Sequence, residues 1–148
     1  METGKMMEIK RKHERGFTLL EVMIVVVILG VLASLMLPSL MGNKDKADRQ
    51  KAISDIVTLE NALEMYKLDN NVYPTTEQGL NALVKKPVIA PVPRNYRHDG
   101  YIRRLPKDPW GNPYQLKSPG DRGAVDIYSF GPQGVEGKES INNWTLDE

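Results

Sequence analysis

The sequence predicts an α+β chain in which a long N-terminal helix, membrane-spanning in its first half and amphipathic in its second, packs on a small antiparallel β-sheet with a C-terminal loop. Three observations carry this. Phe17–Leu37, FTLLEVMIVVVILGVLASLML, is an apolar run of 21 residues with one charge, Glu21. Ala52, Ile56, Leu59, Leu63 and Tyr66 recur at helical spacing, with Ile53 and Val57 flanking the stripe. Two short alternating runs, Tyr114–Lys117 and Ala124–Phe130, are separated by the turn-forming Ser118-Pro119-Gly120-Asp121-Arg122-Gly123, the pattern of an antiparallel hairpin.

The apolar run is long enough to cross a bilayer. At about 1.5 Å rise per residue it spans roughly 31 Å, against a hydrocarbon core of about 30 Å. A secretory signal has an apolar core of about 7–15 residues followed by a small-residue cleavage site. Ala33-Ser34 imitates such a site, but the run continues without interruption to Leu37, so the helix is expected to be retained. Glu21 is the anomaly, because a charge inside the membrane zone costs about 2.5 kcal/mol or more at the helix centre. Near the helix end it either snorkels to the interface or requires a partner.

Charge divides the chain unevenly. The whole carries 20 Lys+Arg and 19 Asp+Glu, and residues 1–16 hold five of the basic groups (Lys5, Lys10, Arg11, Lys12, Arg15) and three of the acidic (Glu2, Glu8, Glu14). Removing those leaves 15 against 16, a net charge of −1 and no basic footprint for nucleic acid. The basic cluster before the apolar run predicts a cytoplasmic N-terminus and a C-terminal domain on the other side, in the periplasm of a Gram-negative cell. Met6 and Met7 offer alternative starts that keep the leader basic. With 148 residues and one stretch committed to membrane, one small globular domain of about 80–100 residues remains. There is no cysteine, so neither disulfides nor thiol chemistry enters.

Following the chain, Pro38 together with Gly30 and Gly42 weakens the helix, predicting a kink, a melted segment or a bend resatisfied by neighbouring groups. After the mixed-charge passage Asn43–Lys51 the amphipathic stripe begins, with Asp55, Glu60, Glu64 and Lys67 on its polar face. Asn70 and Asn71 suit a helix stop, so a nearly continuous helix from Phe17 to about Asp69 would be roughly 80 Å long. Tyr73–Leu80 predicts a turn into a short helix capped by Thr75 or Thr76, with Leu80, Leu83 and Val84 on one face. Pro87–Tyr96, with three prolines, is a loop. Asp108-Pro109-Trp110-Gly111 is a turn in which Gly111 takes a positive φ and Trp110 buries against the helix. A third strand is expected from the Trp144 region.

The segment Gly16-Phe17-Thr18-Leu19-Leu20-Glu21, preceded by a basic leader and followed by the apolar run, resembles the N-termini of type IV pilins and of the pseudopilins of type II secretion. YPTTEQGL (73–80) after ALEMYKLDN (62–70), and Gly100-Tyr101-Ile102 with Leu105-Pro106-Lys107-Asp108-Pro109-Trp110-Gly111, are similar to the major pseudopilin family in particular. The resemblance runs from Arg15 almost to the C-terminus. It implies a type IV pilin-like fold, a leader over 1–16 removed between Gly16 and Phe17 by the prepilin peptidase, N-methylation of Phe17, a transmembrane and filament-core helix over 17–37, and a periplasmic domain over 38–148. It further implies a helical homopolymer that drives folded periplasmic proteins across the outer membrane, with minor pseudopilins, an inner-membrane assembly platform and a cytoplasmic ATPase as partners. Physically, the amine at Phe17 is a cation at a helix N-terminus, and Glu21 of a neighbouring subunit is the anion that neutralises it in a low-dielectric core.

Catalysis has little to stand on: two histidines, His13 in the leader and His98 in a polar loop, no HExxH and no phosphate-cradling glycine loop. No enzymatic activity is expected. The resemblance implies calcium at the C-terminal loop, with the carbonyls of Phe130 and Val135 and the side chains of Gln133, Glu139 and Ser140 as ligands. Here the chain departs from the family pattern, which has an acidic residue where Gln133 stands, an Asp pair where Glu139-Ser140 stands, and one residue more between them. Fewer carboxylates mean weaker attraction for a divalent cation. Two other readings remain at this point, a pilin-type subunit for adhesion or DNA uptake and a single-pass protein whose periplasmic domain binds a ligand.

Overall fold

The computed structural model describes Gly4 and residues 16–146, so the basic leader, apart from its two glycines, and the alternative start methionines lie outside the described residues. The chain divides into two compact units, 1–41 and 42–148.

Helix α1 (Leu19–Asn70) runs through both sequence segments. Backbone helix persists at Pro38, so the melted segment among the expected outcomes is not adopted. Pro38 deprives the Ser34 carbonyl of its donor one turn on. Two serine hydroxyls nearby add local bonds to the helix: Ser34 Oγ donates to the Gly30 carbonyl and Ser39 Oγ to the Met36 carbonyl, each at 2.8 Å. Within the first unit the large apolar side chains from Phe17 to Met41 are all exposed, from 48% at Val22 to 84% at Phe17.

The second unit has an ordinary core. Ala52, Ile56, Leu59, Leu63 and Tyr66 are all buried, as their spacing predicts, and Ala62 joins them. Leu80, Ala82, Leu83, Tyr114, Leu116, Val125, Ile127 and Ile141 complete the cluster. The sheet is β1 (Gln115–Lys117), β2 (Asp126–Ser129) and β3 (Ile141–Asn142), in that order and antiparallel throughout. Leu116 faces Ile127 across the first pair, and Tyr128 faces both Gln115 and Asn142. The third strand precedes Trp144, which sits in a 3-10 turn (Asn143–Thr145).

Three local expectations are sharpened. Thr75 does cap, but through a reciprocal pair: its Oγ1 accepts from the Gln78 N–H at 3.2 Å and Gln78 Oε1 accepts from the Thr75 N–H at 3.0 Å. That pair closes a turn, because Gly79 at φ 63° interrupts it, and the helical piece is a 3-10 turn at Leu80–Leu83. Helix α1 stops at Asn71, which takes φ 64°, as an Asn past a helix end does at low steric cost. In the turn after Asp108, Gly111 has φ 88° and Trp110 packs half-buried on the core.

The polar face of α1 is less solvated than the sequence implies. Asp55 accepts from the Tyr114 hydroxyl at 2.8 Å, Glu60 from Asn143 Nδ2 at 2.8 Å, and Glu64 from the Tyr73 hydroxyl. At the helix end Asp69 accepts from Arg97 Nε at 2.6 Å and from the Tyr101 hydroxyl at 3.1 Å, while Asn70 accepts from the Asn95 N–H. The acidic residues of the helix thus hold Tyr73, Arg97, Tyr101, Tyr114 and Asn143 at successive heights.

Candidate functional site

Two segments hold the sequence-predicted site residues. In the first, Gly16 and Phe17 precede α1 and are exposed, and a side chain at Gly16 would meet nothing within 4 Å. Their peptide bond is therefore non-helical and accessible, the condition for a protease. Thr18 starts the helix: its hydroxyl accepts from the Glu21 N–H at 3.1 Å and its carbonyl from the Val22 N–H at 3.2 Å. This is half of a Thr-x-x-Glu capping box, a signal present in the sequence as Thr18-Leu19-Leu20-Glu21 and overlooked in reading it. Glu21 consequently lies in the first turn, where the helix dipole favours an anion. Among the described residues its carboxylate makes no hydrogen bond or ion pair, so it is free for a partner outside the chain.

The second segment is the loop between β2 and β3. Gly131 (φ 76°) packs so closely on the Glu139 carbonyl that any side chain there would collide with it. The close approach draws Phe130 and Gly131 beside Glu139 and Ser140 and closes the loop at its base. Two tight turns fill it, from Gly131 to Gly134 and from Gly137 to Ser140, the latter with Ser140 Oγ accepting from the Gly137 N–H at 3.0 Å. Gln133 and Val135 are exposed, and Glu139 and Ser140 half-buried.

For calcium the donor chemistry fits in kind, since every predicted donor is an oxygen, and the closed loop brings Phe130 to Glu139 and Ser140. It falls short in charge. Glu139 is the one carboxylate in the set, and among the described residues no cluster of three or more His, Cys, Asp or Glu could hold a metal.

Two buried carboxylates, Asp108 and Asp126, hold the turns on either side of β1, and sequence reading gave neither carboxylate a role. Asp108 accepts from the N–H groups of Trp110 and Asn112 and from the Ser129 hydroxyl at 2.7 Å, and Ser129 Oγ in turn accepts from the Gly131 N–H at 3.1 Å. Asp126 accepts from the N–H groups of Asp121, Arg122 and Gly123. Aspartate beside glycine-rich turns is the signal that could have found them.

His98 is fully exposed and meets only Asp99, so the structure brings no nucleophile and base together there.

The chain matches the family described as "Type II secretion system (T2SS), protein G" over residues 39–144, and the "Prokaryotic N-terminal methylation motif" over residues 11–37. It belongs to the type II secretion protein G family. The type II secretion system core protein G of Pectobacterium carotovorum subsp. carotovorum is 69% identical over 137 residues, covering 92% of this chain and 88% of its own. That of Aeromonas hydrophila is 66% identical over 140 residues, covering 94% and 98%. That of Pseudomonas aeruginosa is 52% identical over 139 residues, covering 91% and 98%. Among solved structures, the major pseudopilin from the type 2 secretion system of enterohaemorrhagic Escherichia coli aligns with TM-score 0.69 and 66% identity, covering 74% of this chain and 96% of that one. The chain is therefore a major pseudopilin of type IV pilin-like fold, from a family of structural subunits and not of enzymes. Its methylation motif and apolar N-terminal helix assign it to peptidase processing and membrane anchoring.

Proposed function

We propose that this pseudopilin is made with residues 1–16 in the cytoplasm, is anchored in the inner membrane by residues 17–37, and carries residues 38–148 in the periplasm. The prepilin peptidase cuts between Gly16 and Phe17, and Phe17 is N-methylated. The subunit then leaves the bilayer sideways into a helical homopolymer, built with minor pseudopilins on an inner-membrane platform and powered by a cytoplasmic ATPase. The growing fibre pushes folded periplasmic proteins across the outer membrane. The observation that carries this reading is the first unit itself: an all-round apolar helix with 0% burial in its own chain, opened by an accessible bond and a single free carboxylate. Such a surface needs lipid first and neighbouring helices afterwards, and Glu21 pairing with the Phe17 amine of the next subunit neutralises both charges and sets the register. Mass spectrometry of the mature chain tests the processing: it is expected to begin at methylated Phe17, and a chain retaining Gly16 or starting elsewhere refutes it.

The C-terminal loop is proposed to bind calcium weakly through the carbonyls of Phe130 and Val135, the Gln133 amide, the Glu139 carboxylate and the Ser140 hydroxyl. Bound there, the ion would tie the Gly131–Ser140 turns together by attraction that one carboxylate supplies less of than two or three would. Calorimetry suits the fragment from Lys44 onward, which contains every core residue of the second unit. Heat of binding and a rise in Tm at millimolar calcium are expected, and their absence rejects the site.

A further inference from the structure

The globular unit leaves two exposed apolar features of opposite charge, and each lacks a partner among the described residues. The first is a groove of about 240 Å³ lined by Gln78, Ala82, Lys85, Lys86, Val88 and Ile89. Val88 is 89% exposed and Ile89 48%. The groove wall is built in advance: buried Gln78 donates from Nε2 to the carbonyls of Ile89 and Pro91 at 2.8 and 2.9 Å. Lys85 and Lys86 stand at its rim, exposed, and neither forms an ion pair among the described residues. The second feature is the tip of the C-terminal loop, where Val135, 62% exposed, stands beside exposed Glu136 between Gly134 and Gly137. Glu136 borders a cleft with Lys117 and Arg122 but forms no ion pair with either.

Within the folded chain the two features do not meet: Val135 does not line the groove, and the tip borders a separate cleft with Lys117 and Arg122. A second copy brings the tip of one chain to the groove of another.

We propose that the Lys85–Lys86 groove of one subunit receives the Val135–Glu136 tip of a second copy. Val135 fills the apolar floor and Glu136 meets the lysine ammoniums at the rim. The contact joins two different patches, so it is heterologous and repeats without closing, the geometry of a helical fibre. Opposite charges at the rim fix orientation and disfavour like-with-like association, because groove against groove or tip against tip would place like charges together. This inference rests on the polymer reading given above.

The chain has no cysteine, so disulfide trapping in the full chain reads the contact directly. The double variant Val88→Cys/Val135→Cys, produced with the prepilin peptidase and the secretion machinery and oxidised in intact fibres, is expected to give a ladder of covalent multimers, since a disulfide requires Cα atoms within about 7 Å. Each single variant is expected to stay monomeric on a denaturing gel. In the same background Lys85→Glu/Lys86→Glu is expected to lose the ladder, and adding Glu136→Lys to restore it. Fibres that form without a ladder overturn the proposal, as do dimers from either single variant, which would mark a symmetric contact. If the double-cysteine chain fails to assemble, the charge swap alone decides: no loss of fibres on reversal, or loss without rescue, overturns it. Electron microscopy of the unmodified chain keeps the two readings apart, since absence of any fibre there defeats the polymer itself.

Discussion

The two halves of α1 share a backbone conformation and differ in everything their side chains touch. From Phe17 to Met41 the large apolar residues are exposed on every side. From Ala52 to Tyr66 the residues Ala52, Ile56, Leu59, Ala62, Leu63 and Tyr66 form one stripe buried to 3% exposure or less, with Val57 and Met65 exposed beside it. Helical propensity separates the halves poorly; periodicity separates them well. A stripe can be covered by one small sheet of the same chain, whereas an all-round apolar surface cannot be covered by anything this chain has left. The second half is thus completed by folding and the first only by lipid or by other copies.

The sharpest way to break that comparison is to remove the one charge in the half that folding does not complete. Glu21→Leu is expected to abolish fibre assembly while the precursor still inserts, because the longer apolar run is if anything a better membrane anchor. Fibre yield by shearing and immunoblot, set against the membrane-bound pool, measures both. Normal fibre yield would mean that the Glu21 carboxylate serves only the helix N-terminus, where the dipole favours an anion in the first turn.

In the other half the corresponding cut is Leu59→Ala. Leu59 is completely buried in the centre of the stripe, and deleting a buried leucine side chain costs about 2–5 kcal/mol. Denaturant unfolding of the fragment from Lys44 onward measures it, and membrane insertion of the full chain should be unchanged. The contrast between the two variants, one lost in assembly and the other in folding, would separate the halves functionally.

A smaller effect is expected where the sheet is fastened. Asp126 is 4% exposed and accepts from three successive backbone N–H groups at 2.7–3.2 Å. Asp126→Ala leaves those donors to water or unpaired, at about 1–3 kcal/mol. A thermal shift with retained β-sheet circular dichroism is the expected signature.

These cases also mark what the sequence made legible. The stripe, the hairpin, the Asn71 stop and the Asp108 turn follow from local rules and were readable residue by residue. The acidic anchors were not: Asp55 finds Tyr114 59 residues on, and Glu60 finds Asn143 83 residues on, so a local pattern records them only as a solvated face. The short helix after Tyr73 is present as a 3-10 turn at Leu80–Leu83, separated from the Thr75–Gln78 turn by Gly79 at φ 63°. At the processing segment the residues were legible as a motif, and the structure adds the cap at Thr18. In the C-terminal loop, the closure of Gly131 on Glu139 depends on a backbone approach that no side-chain pattern encodes.

The finest test concerns the aromatic cluster at the end of the stripe, where Tyr96 packs edge-on to Tyr66 and Tyr101 at 6.2 and 5.4 Å. Its hydroxyl is buried and has no hydrogen-bond partner among the described residues. Burial, with smaller contributions from Tyr101 and Tyr66, pushes its phenol from 10.0 up to about 12. A raised pKa in the folded state means that the neutral form is favoured there, so this contribution to stability is complete below pH 10 and is lost as pH rises through about 12. Tyr96→Phe keeps the ring packing and removes both the unpaired hydroxyl and the ionisation. At neutral pH the variant should match or exceed the parent by about 1 kcal/mol, the scale of an unsatisfied buried polar group. Between pH 10 and 12 its advantage should widen, as the parent alone carries the Tyr96 ionisation while Tyr73, likewise raised to about 12, titrates in both. Unfolding midpoints measured at neutral pH and across the alkaline range check the sign, and a variant that loses stability at neutral pH would mean that the hydroxyl does find a partner in the folded protein.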